Sequence, residues 1–273
     1  MSDYQALWSG KKLGVIGGGN MAEALVRGVV AAELVHAPAV VVYDVATERR
    51  DVFASFGCVA AETPHEVLCA DVVLLATKPQ KAEEALHGLE LRDHQLLVSI
   101  AAGIPCSRLE GWLKGGGHVV RVMPNTPLLV GMGASALARG SRADEGDLAL
   151  AMGLFDSCGV AIEVDEDKLD AVTALSGSGP AYLFRFAEAL RAGAEELGLD
   201  GALAARLTAA MLRGSAEMLA RFGNPGKLRE QVTSPGGTTA AALAVLTERD
   251  FDHIVADALE AARDRSVELG RGE

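Results

Sequence analysis

The chain predicts a doubly wound, mostly parallel α/β sheet followed by an all-α half, and three observations carry that reading. Over residues 11–164, short β-branched runs alternate with helical stretches, the pattern that gives a parallel sheet covered by helices on both faces. A glycine-rich turn joins the first run to the first long helical stretch. Past Asp165, Ala and Leu dominate and apolar residues recur every three or four positions, which is helical spacing. The predicted domains are residues 1–164 and 165–273.

The strands expected in the first half are Leu13–Ile16, Val40–Tyr43 and residues 72–76, 96–100 and 119–122. Each is nearly continuous in apolar side chains, as a strand buried on both faces must be. Two further strands, 134–138 and 160–164, flank a helix over 144–156. In the second half Leu183, Ala187, Leu190, Ala194 and Leu197 form one stripe, and Leu203, Leu207, Met211 and Met218 form another. Gly-bearing breaks at 198–201, 223–226 and 234–237 separate the helices, and further helices are expected over Thr238–Glu248 and 252–268. Ala-rich stripes bury little area per helix, so this half is expected to pack against a second copy as a dimerisation domain.

Composition narrows the function. The 273 residues carry 37 acidic against 25 basic side chains, a formal net charge of −12, which disfavours a nucleic-acid partner. Aromatic residues are only 4% of the chain, so base-stacking surfaces are not expected either. Cys58, Cys69, Cys106 and Cys158 are scattered without a CxxC pair, which argues against a disulfide framework or zinc site and for a reducing cytoplasm. The histidines show neither HExxH nor any paired spacing, so no metal is expected. The amino terminus lacks a charged-then-apolar leader and no apolar run approaches a membrane span, so a soluble, unprocessed protein is expected.

The segment Gly17-Gly18-Gly19-Asn20-Met21-Ala22 sets a G-x-G-x-x-A pattern between a strand and a helix. There Gly17 permits the tight turn, Gly19 lets backbone amides approach a pyrophosphate, and Ala22 allows close helix packing. The helix amino terminus offers free N–H groups and partial positive charge. The plainer alternative is a tight βα turn without a ligand. Asp44 ends the second strand, where an acidic group bonds the adenosine ribose of NAD and repels a 2′-phosphate. Thr47, Arg49 and Arg50 follow closely and are able to hold a phosphate, so NADH and NADPH both remain open.

Three segments fall at expected carboxyl ends of strands, where open sheets bind ligands. In Thr77-Lys78-Pro79-Gln80, Lys78 approaches the ribose or phosphates; Ala101, Ala102 and Gly103 leave room for a flat ring; Asn125 or Thr126 is suited to bond a carboxamide. Each taken alone also reads as a turn and nothing more. In the second half, Ser176-Gly177-Ser178-Gly179-Pro180 starts a long helix, with Ser178 as its cap or as a pocket residue. The stretch Ser234-Pro235-Gly236-Gly237-Thr238-Thr239 joins glycines to hydroxyls at a helix amino terminus, which suits a carboxylate, with ordinary capping by Thr238 as the alternative.

The ordered set IGGGNMAEAL, TKPQ, SIAAG, RVMPNTP, ALSGSGPAY and TSPGGTT resembles the pyrroline-5-carboxylate reductase family over nearly the whole chain. The resemblance implies an NADH- or NADPH-dependent reduction of a five-membered cyclic imine carboxylate to proline, and a homodimer interlocked through the helical half, in many members arranged as rings of dimers. It implies that Ser234, Gly236, Gly237, Thr238 and Thr239 receive the carboxylate and ring. Hydride attack at C5 of a protonated imine demands alignment rather than a strong base, and Thr239, or second to it Ser234, is placed to relay the proton. The chain departs from the family pattern in having Asp44 followed by Val45 where many relatives carry a polar or basic residue, and Asn224 where His-Pro-Gly is common.

Two rival readings make different demands on the sequence. A 3-hydroxyacid dehydrogenase needs a general base, often a lysine on the long helix, yet no lysine lies between Ser178 and Arg206. A redox-sensing regulator would bind the dinucleotide without turning it over, which the acidic charge and the intact SPGGTT segment disfavour.

Overall fold

The computed structural model describes residues 2–271, with the side chains of residues 4–270. Among the described residues the chain forms two compact units, residues 2–178 with 262–271, and residues 179–261. In the first unit a short helix α1 (Ser2–Trp8) precedes β1 (Leu13–Ile16), α2 (Asn20–Ala31), β2 (Val40–Tyr43) and α3 (Thr47–Ala54). Then come β3 (Val59–Ala60), β4 (Val72–Leu75), α4 (Pro79–Leu86), β5 (Leu96–Ser99), α5 (Cys106–Trp112) and β6 (His118–Met123). The unit continues with β7 (Gly133–Arg139), α6 (Glu145–Asp156), β8 (Gly159–Glu163) and α7 (Leu169–Val172).

The strands form one sheet in the order β3-β2-β1-β4-β5-β6-β7-β8. All neighbours run parallel except β6 and β7, as a mostly parallel doubly wound sheet requires. The strand order reverses between β1 and β4, so the crevice for a ligand opens at the carboxyl ends of these two strands.

Strand alternation explains why the sequence runs are continuously apolar. Leu13, Val15, Val40, Val42, Val72, Leu74, Leu96 and Val98 pack in one core with Ala22, Leu25 and Val29 of α2 and Leu154 of α6. Their neighbours Ile16, Val41, Val73, Leu75 and Leu97 pack on the opposite face with Ala82, Leu86 and Leu109. Successive side chains of one strand therefore enter two separate cores. The two-residue strand β3 is absent from the sequence expectation, because a run this short carries no period; it is set by pairing with β2.

The helical unit contains α8 (Gly179–Glu196), α9 (Gly201–Phe222), α10 (Pro225–Gln231), α11 (Thr238–Glu248) and the first part of α12 (Phe251–Arg271). The breaks fall where the glycines predict them: Gly198 has φ +92° after α8, and Asp200 caps α9 by accepting from the N–H groups of Ala202 and Leu203. Within the described residues Ala204 is buried, whereas Phe184, Leu207, Met211 and Ile254 are exposed. The start of α8 differs from the simple capped helix read at Ser178. Thr173–Gly177 is a π-helical turn in which the Ser178 N–H donates to the Thr173 carbonyl at 2.8 Å, so the backbone is already helical before Gly179.

Gly14 lies in β1 where a Cβ would stand 2.7 Å from the Val67 carbonyl oxygen. Overpacking against fixed backbone costs about 1–3 kcal/mol, so Gly14→Ala is expected to lower the urea midpoint of unfolding; an unchanged midpoint contradicts this packing.

Candidate functional site

The site is built on the turn between β1 and α2. Gly17 has φ +98°, a left-handed conformation that favours glycine, and a Cβ there would lie 2.8 Å from the Ala76 carbonyl oxygen at the end of β4. Gly17 donates its N–H to the Tyr43 carbonyl at 2.8 Å. The turn is therefore pressed between the ends of β2 and β4. At Gly19 a Cβ would meet nothing within 4 Å, so the backbone there is open to a ligand. Gly19 caps α2 without a side-chain hydrogen bond, which leaves the first-turn N–H groups available to an anion.

The turn is also tied down by charge. Gly18 donates its N–H to Asp44 Oδ2 at 2.6 Å, and the other carboxylate oxygen accepts from the Ala46 N–H at 2.8 Å. Arg49 Nε donates to the Gly18 carbonyl, and its Nη2 pairs with Glu23 at 2.8 Å. Hydrogen bonds from Arg49 and then Arg27 hold the Glu23 carboxyl below the usual carboxylate range, so Glu23 stays ionised at neutral pH.

A cleft of about 530 Å³ opens beside this turn, a size suited to part of a small-molecule cofactor. Its lining brings together Gly17, Gly19, Asp44 and Lys78 from the sequence reading, and adds Tyr43, Val45, Thr77, Lys81, Glu84 and His87. The Thr77 hydroxyl is buried without a hydrogen-bond partner, and an orphaned polar atom in a cleft wall calls for a ligand donor or acceptor. The bare backbone at Gly19, the open helix end and this orphan hydroxyl all fit a dinucleotide.

The other residues singled out in the sequence lie outside that lining. Asn20 and Met21 open α2, with Met21 packed against the core, and Pro79 opens α4. Ala101 is 2% exposed and belongs to the core around Ile16, and Ala102 is half-buried beside it. Gly103 has φ +77°, and a Cβ there would lie 3.2 Å from the Gly270 nitrogen, so it serves the approach of the end of α12. Asn125 accepts from the Ala134 N–H at 2.9 Å and donates to Ser176 Oγ at 3.1 Å, which couples the end of β6 to the π-helical turn. Thr126 is exposed at the start of a short 3-10 helix.

Sequence reasoning missed Lys81, Glu84 and His87 as cleft residues. A signal was present in the spacing: Lys81, Glu84 and Ala85 lie three and four apart and so share one face of α4. Nucleophilic chemistry at cysteine is not built here. Burial, with Glu166 adding to it, pushes the Cys106 thiol up to about 12, which keeps it protonated and inert.

In the helical unit, Ser234, Gly236, Gly237, Thr238 and Thr239 form one turn and helix start. Gly236 has φ +67°, and the Gly237 N–H donates to the Ser234 carbonyl at 3.0 Å. Gly237 caps α11 with no side-chain bond, so capping by Thr238 does not occur and the first-turn N–H groups of α11 stay open. Thr238 is exposed and Thr239 half-buried.

Gly17→Ala adds a methyl where the backbone is strained and the Ala76 carbonyl is in the way. Isothermal titration is expected to show roughly ten-fold or greater loss of dinucleotide affinity from this change, about 1.4 kcal/mol or more of binding free energy. An affinity unchanged by the substitution contradicts the placement of the turn against the cofactor.

Comparison with known proteins agrees with this geometry. Residues 12–103 match the family described as NADP oxidoreductase, coenzyme F420-dependent, and residues 166–269 match pyrroline-5-carboxylate reductase dimerisation. The chain is 42% identical over 265 residues to a pyrroline-5-carboxylate reductase of Arabidopsis thaliana, covering 95% of this chain and 96% of the relative. It is 41% identical to one of Pseudomonas aeruginosa, covering 94% and 96%. Among solved structures, a pyrroline-5-carboxylate reductase from Coxiella burnetii superposes with TM-score 0.87 at 35% identity, covering 95% of this chain and 98% of that one. A Plasmodium falciparum pyrroline carboxylate reductase with NADP bound superposes with TM-score 0.85 at 31% identity, covering 96% and 98%. With relatives this similar along its full length, and with the glycine turn and the SPGGTT helix start both in place, the chain belongs to the pyrroline-5-carboxylate reductase family.

Proposed function

We propose that the chain reduces the cyclic imine 1-pyrroline-5-carboxylate to L-proline with NADH or NADPH, the last step of proline biosynthesis, in the cytoplasm. The observation that carries this reading is the full-length similarity to pyrroline-5-carboxylate reductases at about two identical residues in five. No helix among the described residues is long and apolar enough to cross a membrane.

Gly17, Gly19, Asn20 and Met21 hold the pyrophosphate at the start of α2, Asp44 meets the adenosine ribose, and Lys78 and Pro79 flank the cofactor from α4. Ala101, Ala102, Gly103, Asn125 and Thr126 stand on the same carboxyl edge of the sheet, where the reacting end of the cofactor belongs. When bound, the reduced nicotinamide supplies the hydride that adds to C5 of the C=N bond.

Ser234, Gly236, Gly237, Thr238 and Thr239 receive the substrate carboxylate. The open N–H groups of α11, the hydroxyls and the positive end of the helix all favour an anion there. The Thr239 hydroxyl bonds the ring nitrogen and keeps a proton on it while C5 accepts the hydride. A protonated imine is strongly electrophilic, so the greater part of the acceleration comes from holding the two reactants in line.

The dimerisation region spans residues 166–269, and the exposed apolar side chains of α8, α9 and α12 give it a surface to bury. The chain is thus a homodimer through its helical half, and such dimers close into rings.

Steady-state assays with pyrroline-5-carboxylate and reduced dinucleotide are expected to show substrate-dependent loss of the reduced nicotinamide absorbance. Thr239→Ala is expected to lower kcat by about a hundred-fold, the size of a lost proton-transfer group; unchanged turnover at saturating substrate removes Thr239 from the reaction. Light scattering is expected to give an even multiple of the chain mass, and a monomer at micromolar concentration contradicts the assembly.

A further inference from the structure

Resting on the reductase reading of the cleft, we propose that this chain prefers NADH to NADPH, because the end of β2 meets the adenosine ribose with a fixed carboxylate while the neighbouring guanidiniums are oriented onto protein partners. Asp44 lines the cleft and is held by two backbone N–H donors, one to each oxygen. A carboxylate has about four acceptor positions, so Asp44 retains capacity for the two hydroxyls of an unmodified ribose. A 2′-phosphate brings negative charge and no donor to the same place.

The two residues that follow Asp44 offer no side-chain counter-charge. Val45 is 88% exposed at the cleft, and Ala46 is next. Arg49 is spent on the Gly18 carbonyl and on Glu23. Arg27 shares that same Glu23 at 2.9 Å and lies over the Phe56 ring at 4.1 Å. Arg50 donates to the Ala61 carbonyl, to Glu62 and to Thr47 Oγ1, with its side chain 12% exposed. A 2′-phosphate would have to share these guanidiniums with the protein partners that already orient them. The cleft cations Lys78 and Lys81 come from the β4 end and α4 rather than from β2, and Glu84 offsets Lys81 at 2.8 Å.

Isothermal titration of the whole protein without imine substrate tests this directly, using NADH and NADPH separately. NADH is expected to bind at least about ten-fold more tightly, the scale of one like-charge contact at partly screened distance. Val45→Arg, which brings a guanidinium to this exposed position beside the cleft, is expected to raise the ratio of NADPH to NADH affinity by about ten-fold. Equal or tighter binding of NADPH by the unaltered chain overturns the preference and leaves the reductase reading standing. An unchanged ratio in Val45→Arg overturns the location of the selectivity at the β2 end. Failure to bind either dinucleotide overturns both readings.

Discussion

The site depends on one constraint, the compression of the β1–α2 turn between the ends of β2 and β4. Gly17 can occupy that space only without a side chain and with its φ at +98°. Its N–H goes to the Tyr43 carbonyl, and the next N–H goes to the Asp44 carboxylate. These bonds fix where α2 begins, and hence where its unpaired N–H groups point. A short turn with its donors spent on the sheet edge leaves the helix end as the place for an anion. The cofactor cleft follows from the strand order as much as from the motif, since β1 and β4 are neighbours at the point where the winding reverses.

The charges around the turn brace it and line the cleft beside it. Asp44 closes the turn by accepting from two backbone N–H groups and at the same time sets a fixed carboxylate in the cleft wall. Glu23 and Arg49 reach from α2 and α3 to brace the same loop. Such partly exposed pairs add modestly to stability, and their larger effect is to decide which charges remain free to meet a ligand.

Much of this was legible in the sequence, for identifiable reasons. The fully buried strands announced themselves because both sheet faces are covered, and β1 and β2 begin and end where their apolar runs do. The breaks between helices were legible because left-handed glycines such as Gly198 must fall there. Less was legible where tertiary contact decides. Gly103 reads as room for a flat ring, and only the fold shows that the end of α12, more than 160 positions later, also demands its bare backbone. Asn125 looked available for a carboxamide, and the structure shows its amide engaged with Ala134 and Ser176. Arg49 and Arg50 were ambiguous on paper, because their partners Glu23, Gly18, Ala61 and Glu62 are brought to them only by the fold.

We propose two glycine-bearing helix starts, at α2 and at α11, as the anion receptors of the reaction, one for the cofactor pyrophosphate and one for the substrate carboxylate. Backbone amide hydrogen exchange reads both places in one experiment, with reduced dinucleotide and with a non-reacting five-membered ring carboxylate added in turn. The account predicts slowed exchange at residues 18–22 with the dinucleotide and at residues 237–240 with the ring carboxylate. Protection that appears elsewhere, with both helix starts unchanged, would contradict it.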